Sequence, residues 1–163
     1  MGLMGRTLAK GLGAGAAGTT ALNAVTYADM ALRGRGPSEL PQQSIEHLAG
    51  QFGVNVPGAG ETRDHRVEAF GALGGLGTGL LIGVAAAAFG PITRRLPVPL
   101  ASLLIGGSAM AMTDVPMSKL GLTDPQKWSA SDWLADALPH LAYGVVTAAM
   151  LRRIGGRGAG VRK

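Results

Sequence analysis

The segment from Val67 to Gly90 constrains the fold most, since no charged residue lies between Glu68 and Arg94. A helix needs ~20 mostly apolar residues to cross the ~30 Å hydrocarbon core of a bilayer. Three weaker apolar segments accompany it, and the predicted spans are about 7–32, 67–90, 96–113 and 131–151. The sequence therefore predicts an all-α integral membrane bundle of about four transmembrane helices, forming a single membrane domain over residues 1–163.

The composition agrees with a membrane bundle better than with a soluble domain. Glycine makes up 27 of 163 residues, and aromatic residues only 4%. Small side chains bury little apolar area each, so a water-soluble core built from them gains little stability. In a bilayer, small residues let helix backbones approach closely. The chain has no cysteine, which excludes disulfides and thiolate metal sites.

The ends of the other spans are less clearly defined. The first is rich in glycine, and a signal peptide ending near Tyr27 is the alternative interpretation. Pro97 and Pro99 confine the third to a short helix of roughly 22 Å, up to Thr113. The fourth span is too short if it starts at Pro139.

We expect the fourth span to start near Ser129, where Ser129-x-x-Asp132 has the spacing of a capping box. Trp128 and Trp133 would then lie at the level of the lipid headgroups, where membrane proteins concentrate tryptophan. Pro139 should fall inside this helix and leave the carbonyl of Ala135 without its backbone donor.

The outer loop, residues 33–66, is the longest polar segment. Within it, Ile45, Leu48 and Phe52 recur at helical spacing after Pro41, which predicts a short amphipathic helix over 41–52. This helix either lies on the membrane surface or covers one end of the bundle.

The charges predict the orientation of the spans. Of the 15 Lys and Arg residues, nine fall on the side of the two termini and six on the other. An excess of Lys and Arg marks the cytoplasmic side, so both termini are predicted to be cytoplasmic, in a multi-pass protein of the bacterial inner (cell) membrane. All ten acidic residues fall in outer loops or outer halves of spans: Asp29, Glu39, Glu46, Glu61, Asp64, Glu68, Asp114, Asp124, Asp132 and Asp136.

The basic tail, residues 152–163, would then face the anionic inner leaflet. Nucleic-acid binding by this tail is an alternative that the charge sorting makes less favourable, because a soluble nucleic-acid binder has no reason to sort its charges by apolar segment. The expected partners are membrane lipids, with a homo-oligomer or a larger membrane complex as further possibilities.

A glycine stripe runs along the second span. Gly71, Gly75, Gly79 and Gly83 repeat at i+4 spacing, a glycine zipper that predicts close helix packing. The first span carries a weaker version, Gly11 and Gly15, so we expect these two spans to pack against each other. A second copy of the chain is the other possible partner.

Polar residues on three spans define a candidate pocket that faces outward. Ionisable residues inside a membrane usually mark a substrate, ion or proton path, and the alternative is interhelical hydrogen bonding without transport. The set comprises Asn23, Tyr27, Asp29, Asp114, Asp132, Asp136, His140 and Tyr143. Carboxylates with a histidine suit a divalent cation or a proton relay, so whether the set binds a metal stays open. No catalytic residue and no cofactor is predicted, since nucleotide-binding and hydrolase signatures are absent.

Residues 123–144, TDPQKWSASDWLADALPHLAYG, resemble the last-span region of small actinobacterial membrane proteins. More distantly, His140-x-x-Tyr143-Gly144 resembles the YagU-like inner-membrane family, and ALNAVTYADM, residues 21–30, is similar in character. The resemblance covers about a quarter of the chain. That family is linked to acid tolerance, so the resemblance implies the membrane class and assigns no chemistry.

Two functional classes follow from the sequence. The glycine stripe and the missing catalytic motifs favour a non-enzymatic scaffold or an accessory subunit of a membrane complex. The candidate pocket supports the alternative, a small transporter or a proton or cation conduit. A membrane enzyme that uses the carboxylates and His140 ranks third.

Overall fold

The computed structural model describes residues 2–156, and within that range the protein is helical and has no strand. The elements are α1 Leu3–Arg33, α2 Leu40–Gln51, α3 Glu61–Ala88, α4 Gly90–Thr93, α5 Val98–Lys119, a 3-10 turn Pro125–Lys127, and α6 Ala130–Gly156. Three of these helices, α3, α5 and α6, are long and apolar enough to cross a membrane. The predicted all-α class is therefore confirmed.

The four long helices form an antiparallel bundle. α1 packs between α3 and α6, and α5 packs on the other side of α6. Gly11 near the start of α1 touches Val84 near the end of α3. Arg33 at the end of α1 bonds Ser131 at the start of α6, and Arg152 near the end of α6 bonds the carbonyl of Leu96, 2.5 Å away, just before α5.

This arrangement brings all ten acidic residues to one end of the bundle, which we call the acidic end. It contains the end of α1, all of α2, the start of α3, the end of α5 and the start of α6. The opposite end carries basic residues without acidic ones: Arg6, Lys10, Arg94, Arg95, Arg152 and Arg153 within the described part of the chain. The rest of the predicted basic tail, from residue 157 onward, lies outside the described residues.

The helix α5 is longer than the short third span that the sequence predicted. The helix does not stop at Thr113; it continues through Asp114 and Pro116 to Lys119, a length of 22 residues. At 1.5 Å per residue this is about 33 Å, enough to cross a bilayer. Pro116 lies inside the helix, three residues before its end, where it has no N–H to donate to the carbonyl of Met112.

The start of α6 confirms the predicted capping box. The backbone N–H of Ser129 donates to the Asp132 carboxylate at 2.9 Å, and the N–H of Asp132 is 3.2 Å from the Ser129 hydroxyl. Each side chain thus satisfies a backbone donor that the first turn of a helix leaves unpaired. The helix then continues through Pro139 as expected.

The predicted loop helix is also present, as α2. It packs along the first turns of α3, where Pro41 contacts Gly71 and Glu46 forms an ion pair of 2.7 Å with Arg63. Leu48 and Phe52 remain exposed on its surface. The location of this helix on a membrane surface stays a prediction.

Candidate functional site

The middle of the bundle holds a buried polar core built around Tyr143 on α6. This side chain is 1% exposed, and its hydroxyl donates to the carbonyl of Gly79 on α3 at 2.6 Å. One turn further along α6, the hydroxyl of Thr147 faces the carbonyl of Ala14 on α1 at 3.4 Å. Tyr143 was predicted to lie deep in an open pocket. It lies instead in packed protein, where backbone carbonyls satisfy its hydroxyl.

Asp114, Asp136 and His140 come together nearer the acidic end, between α5 and α6. Asp136 and His140 lie one turn apart on α6, and Asp114 on α5 is near enough for both of them to influence its carboxyl group electrostatically. We call these three residues the acid–histidine cluster. The Nδ1–H of His140 donates to the carbonyl of Asp136 at 2.8 Å and lies 3.4 Å from its carboxylate. One oxygen of that carboxylate, Oδ2, is buried and has no hydrogen-bond partner within residues 2–156.

Two adjacent carboxylates repel each other in a poorly hydrated site. A proton or a cationic group between them removes that repulsion. In the part of the chain that the structure describes, the one hydrogen bond to Asp114 is long, 3.4 Å, and comes from the hydroxyl of Thr113. Among the described residues, no group of three or more His, Cys, Asp or Glu side chains is arranged to hold a metal ion.

Asp29 does not join this cluster. Its Oδ2 accepts hydrogen bonds of 2.6 Å from Arg33, the last residue of α1, and from Arg35, in the turn that follows. Arg33 also bonds Ser131, so this ion cluster ties the end of α1 to the start of α6. Asp132 is likewise engaged elsewhere, in the capping box of α6.

The predicted polar face of α1 does not meet α6 either. Tyr27 is 63% exposed, and Asn23 is only partly buried. At 100° per residue, Tyr27 lies about 160° around the helix from Gly11. α1 turns its small residues toward the bundle, with Gly11, Ala14 and Gly15 all buried, and this contact directs Tyr27 away.

The glycine stripe on α3 is divided among different neighbours. A Cβ at Gly83 would lie 2.5 Å from the carbonyl oxygen of Gly11 and 2.5 Å from the Cα of Gly15. Gly79 faces Thr19 and Tyr143, and Gly71 faces Pro41. Gly75 is exposed and has open space at its Cβ position, so it packs against nothing within residues 2–156.

Sequence reasoning missed a second glycine contact, between α5 and α6. A Cβ at Gly106 would lie 2.5 Å from the carbonyl oxygen of His140, and a Cβ at Gly144 would collide with the carbonyl of Ser102. Both helices carry a small-x-x-x-small pattern here, Ser102 with Gly106 and Gly144 with Ala148. That pattern predicts close helix packing and is the signal that identifies this contact.

A groove of about 430 Å³ lies beside the outer part of α5 at the acidic end, and we call it the α5 groove. Its lining comprises Gly107, Met110, Ala111, Asp114, Val115, Ser118, Lys119, Pro125, Trp128 and Trp133. The groove therefore leads from the apolar surface of α5 to one member of the acid–histidine cluster, Asp114.

Comparisons with protein families, with curated proteins and with solved structures found no match to this chain. The resemblance of residues 123–144 to the YagU-like family therefore stays a prediction.

Proposed function

We propose that this chain is a four-span membrane protein that acts as a non-enzymatic scaffold or as an accessory subunit of a membrane complex. The observation that carries the proposal is the closed core at Tyr143, whose hydroxyl bonds Gly79 and whose ring packs against Gly18. Helix packing occupies the region where a conduit would need an open polar path.

α1 is the proposed fourth span. It has 31 residues, about 46 Å of helix, and it lies antiparallel between two helices that can cross a membrane. Its low hydropathy is acceptable in this position, because the glycines Gly11, Gly15 and Gly18 face protein instead of lipid. A cleaved signal peptide would not supply such a contact surface to the mature bundle.

The sorting of charges supports cytoplasmic termini in the inner membrane. We expect a reporter that is active only in the cytoplasm to give signal when fused after Lys163, which keeps the whole basic tail, and to be silent when inserted in the loop at Asn55. The physical reason is the excess of basic residues at the end that carries both termini. Reporter activity in the reverse pattern would contradict the proposed topology.

The scaffold proposal also draws support from α3. Residues 72–76 are exposed on every side of the helix, and they include Gly74 and Gly75, with open space at both Cβ positions. Small residues on a membrane helix allow another helix to approach its backbone. The test is the protein mass, by light scattering, of the complex extracted from membranes in mild detergent. We expect it to exceed the 16.5 kDa of one chain, and a mass of one chain would contradict the proposal.

The acid–histidine cluster favours a second candidate function, a proton or cation conduit. A flux assay separates the two candidates, using liposomes that contain a pH-sensitive dye. If the chain is a scaffold, liposomes with the protein should acidify no faster than protein-free ones. Faster acidification that is lost in Asp136→Asn would overturn the scaffold proposal and establish the conduit.

A further inference from the structure

The α5 groove has a preformed aromatic wall. The Nε1–H of Trp128 donates to the hydroxyl of Thr123 at 2.9 Å, which fixes the indole. Trp133 packs edge-on against it, with ring centroids 5.0 Å apart. Tryptophans of this kind favour the boundary between lipid tails and headgroups, so the groove would span the same boundary once α5 crosses a membrane.

The opposite ends of the groove differ in chemistry. Met110, Ala111 and Val115 make one part apolar, and Gly107 adds bare backbone with open space at its Cβ position. The polar part carries one carboxylate, Asp114, and one ammonium group, Lys119. A ligand that complements this groove is therefore an amphiphile with both a positive and a negative group in its polar head.

Neither Asp114 nor Lys119 forms an ion pair with another of the described residues. Lys127 nearby, in contrast, is paired to Asp124 at 3.1 Å. The carboxylate of Asp114 accepts one long hydrogen bond, 3.4 Å, from the hydroxyl of Thr113. Hydrogen bonds to charged groups are the stronger ones, so a positively charged donor in the groove would complement this carboxylate.

We propose that the α5 groove binds one phospholipid with a primary-ammonium headgroup, such as phosphatidylethanolamine. The ammonium group donates hydrogen bonds to the carboxylate of Asp114. The phosphate pairs with Lys119, and an acyl chain lies along Gly107 and Ala111. The inference rests on the proposed function in one respect, that α5 and α6 cross a bilayer.

The headgroup chemistry distinguishes this lipid from other phospholipids. The quaternary ammonium of phosphatidylcholine carries no N–H and cannot donate a hydrogen bond to Asp114. The headgroup of phosphatidylglycerol brings negative charge without a compensating cation next to Asp114. Hydrogen bonds to charged groups are worth ~1.5–3 kcal/mol, which corresponds to a preference of about tenfold or more for the primary amine.

The experiment is native mass spectrometry of the full chain, purified and exchanged into an equimolar mixture of phosphatidylethanolamine, phosphatidylcholine and phosphatidylglycerol with identical acyl chains. We expect the parent protein to retain one phosphatidylethanolamine with at least about tenfold preference. Asp114→Asn should lose that preference. The matched control is Asp64→Asn, an exposed acidic residue at the same end but outside the groove, and it should behave as the parent.

Gly107→Leu gives a second, independent test, because it places a side chain in the groove where a Cβ meets no atom within 4 Å. We expect this variant to melt at the parental temperature and yet to lose the retained lipid. Equal retention of the three lipids by the parent, or an unchanged preference in Asp114→Asn, would overturn the inference. Carbonate extraction of whole membranes tests the membrane proposal separately, since a chain that is released by carbonate does not span the bilayer whatever lipid it binds.

Discussion

Replacing Gly83 by leucine should strongly destabilise the bundle. The added Cβ would lie 2.5 Å from backbone atoms of Gly11 and Gly15, so no side-chain rotation relieves the contact. Overpacking typically costs ~1–3 kcal/mol, and we expect at least the upper end of that range because two backbones must separate. Thermal unfolding in detergent, followed by the loss of helical circular dichroism, measures the effect.

The matched control is Gly77→Leu, on the same helix but off the glycine stripe. A Cβ at Gly77 meets no atom within 4 Å. Leucine also has a higher helix propensity than glycine, by up to ~1 kcal/mol. This control should therefore unfold at or above the parental temperature. If both variants melt alike, the contact between α1 and α3 does not stabilise the bundle.

Tyr143→Ala should have an effect of similar size. It removes the largest fully buried side chain among the described residues and leaves a cavity where α1, α3 and α6 meet. Truncating a large buried aromatic residue to alanine typically costs ~3–5 kcal/mol. Tyr143→Phe separates the contributions, since it keeps the ring and removes only the hydrogen bond to Gly79, worth ~0.5–1.5 kcal/mol.

Tyr27→Ala is the control for this second prediction. The chain has two tyrosines, and Tyr27 is 63% exposed on the outer surface of α1. Equilibrium unfolding in a denaturing detergent, measured for all three variants, should show a change below ~0.5 kcal/mol for Tyr27→Ala. A Tyr27→Ala variant as unstable as Tyr143→Ala would mean that α1 turns a different face toward the bundle.

Much of the fold was predictable because it depends on short-range features. The capping box of Ser129 and Asp132 is one example, since its two residues are three apart and need only a helix start to meet. The α2 helix is another, with its apolar residues spaced at one helical period and Pro41 in its first turn. The length of α5 was not predictable in this way. Asp114 and Pro116 look like helix ends locally, but packing against α6 continues the helix past them.

Of the eight predicted pocket residues, the structure brings Asp114, Asp136 and His140 to the same place, because antiparallel neighbours bring residues at the same level of the bundle together. It places Asp132 and Tyr143 of α6 elsewhere, in the capping box and in the packed core, and it also keeps the members on α1 away. Asp29 lies at that level too, but two nearby arginines, Arg33 and Arg35, compete for its carboxylate and hold it at 2.6 Å. The sequence-based prediction placed the polar stripe of α1 in the interior of the bundle. It did not consider that the glycines of α1 lie on a different face and that this glycine face could be the buried one.

By itself, the sequence determined the helical class, the apolar segments and the sorting of acidic and basic residues, because these depend on composition and on spacing within one helix. Only the tertiary structure decided which face of each helix is buried. In a bundle of small residues, that choice follows from where two backbones approach most closely, as Gly83 does to Gly15 and Gly144 to Ser102. Such contacts are properties of pairs of helices. The rotation of α6 that buries Tyr143 and the rotation of α1 that exposes Tyr27 therefore cannot be derived from the sequence of either helix alone.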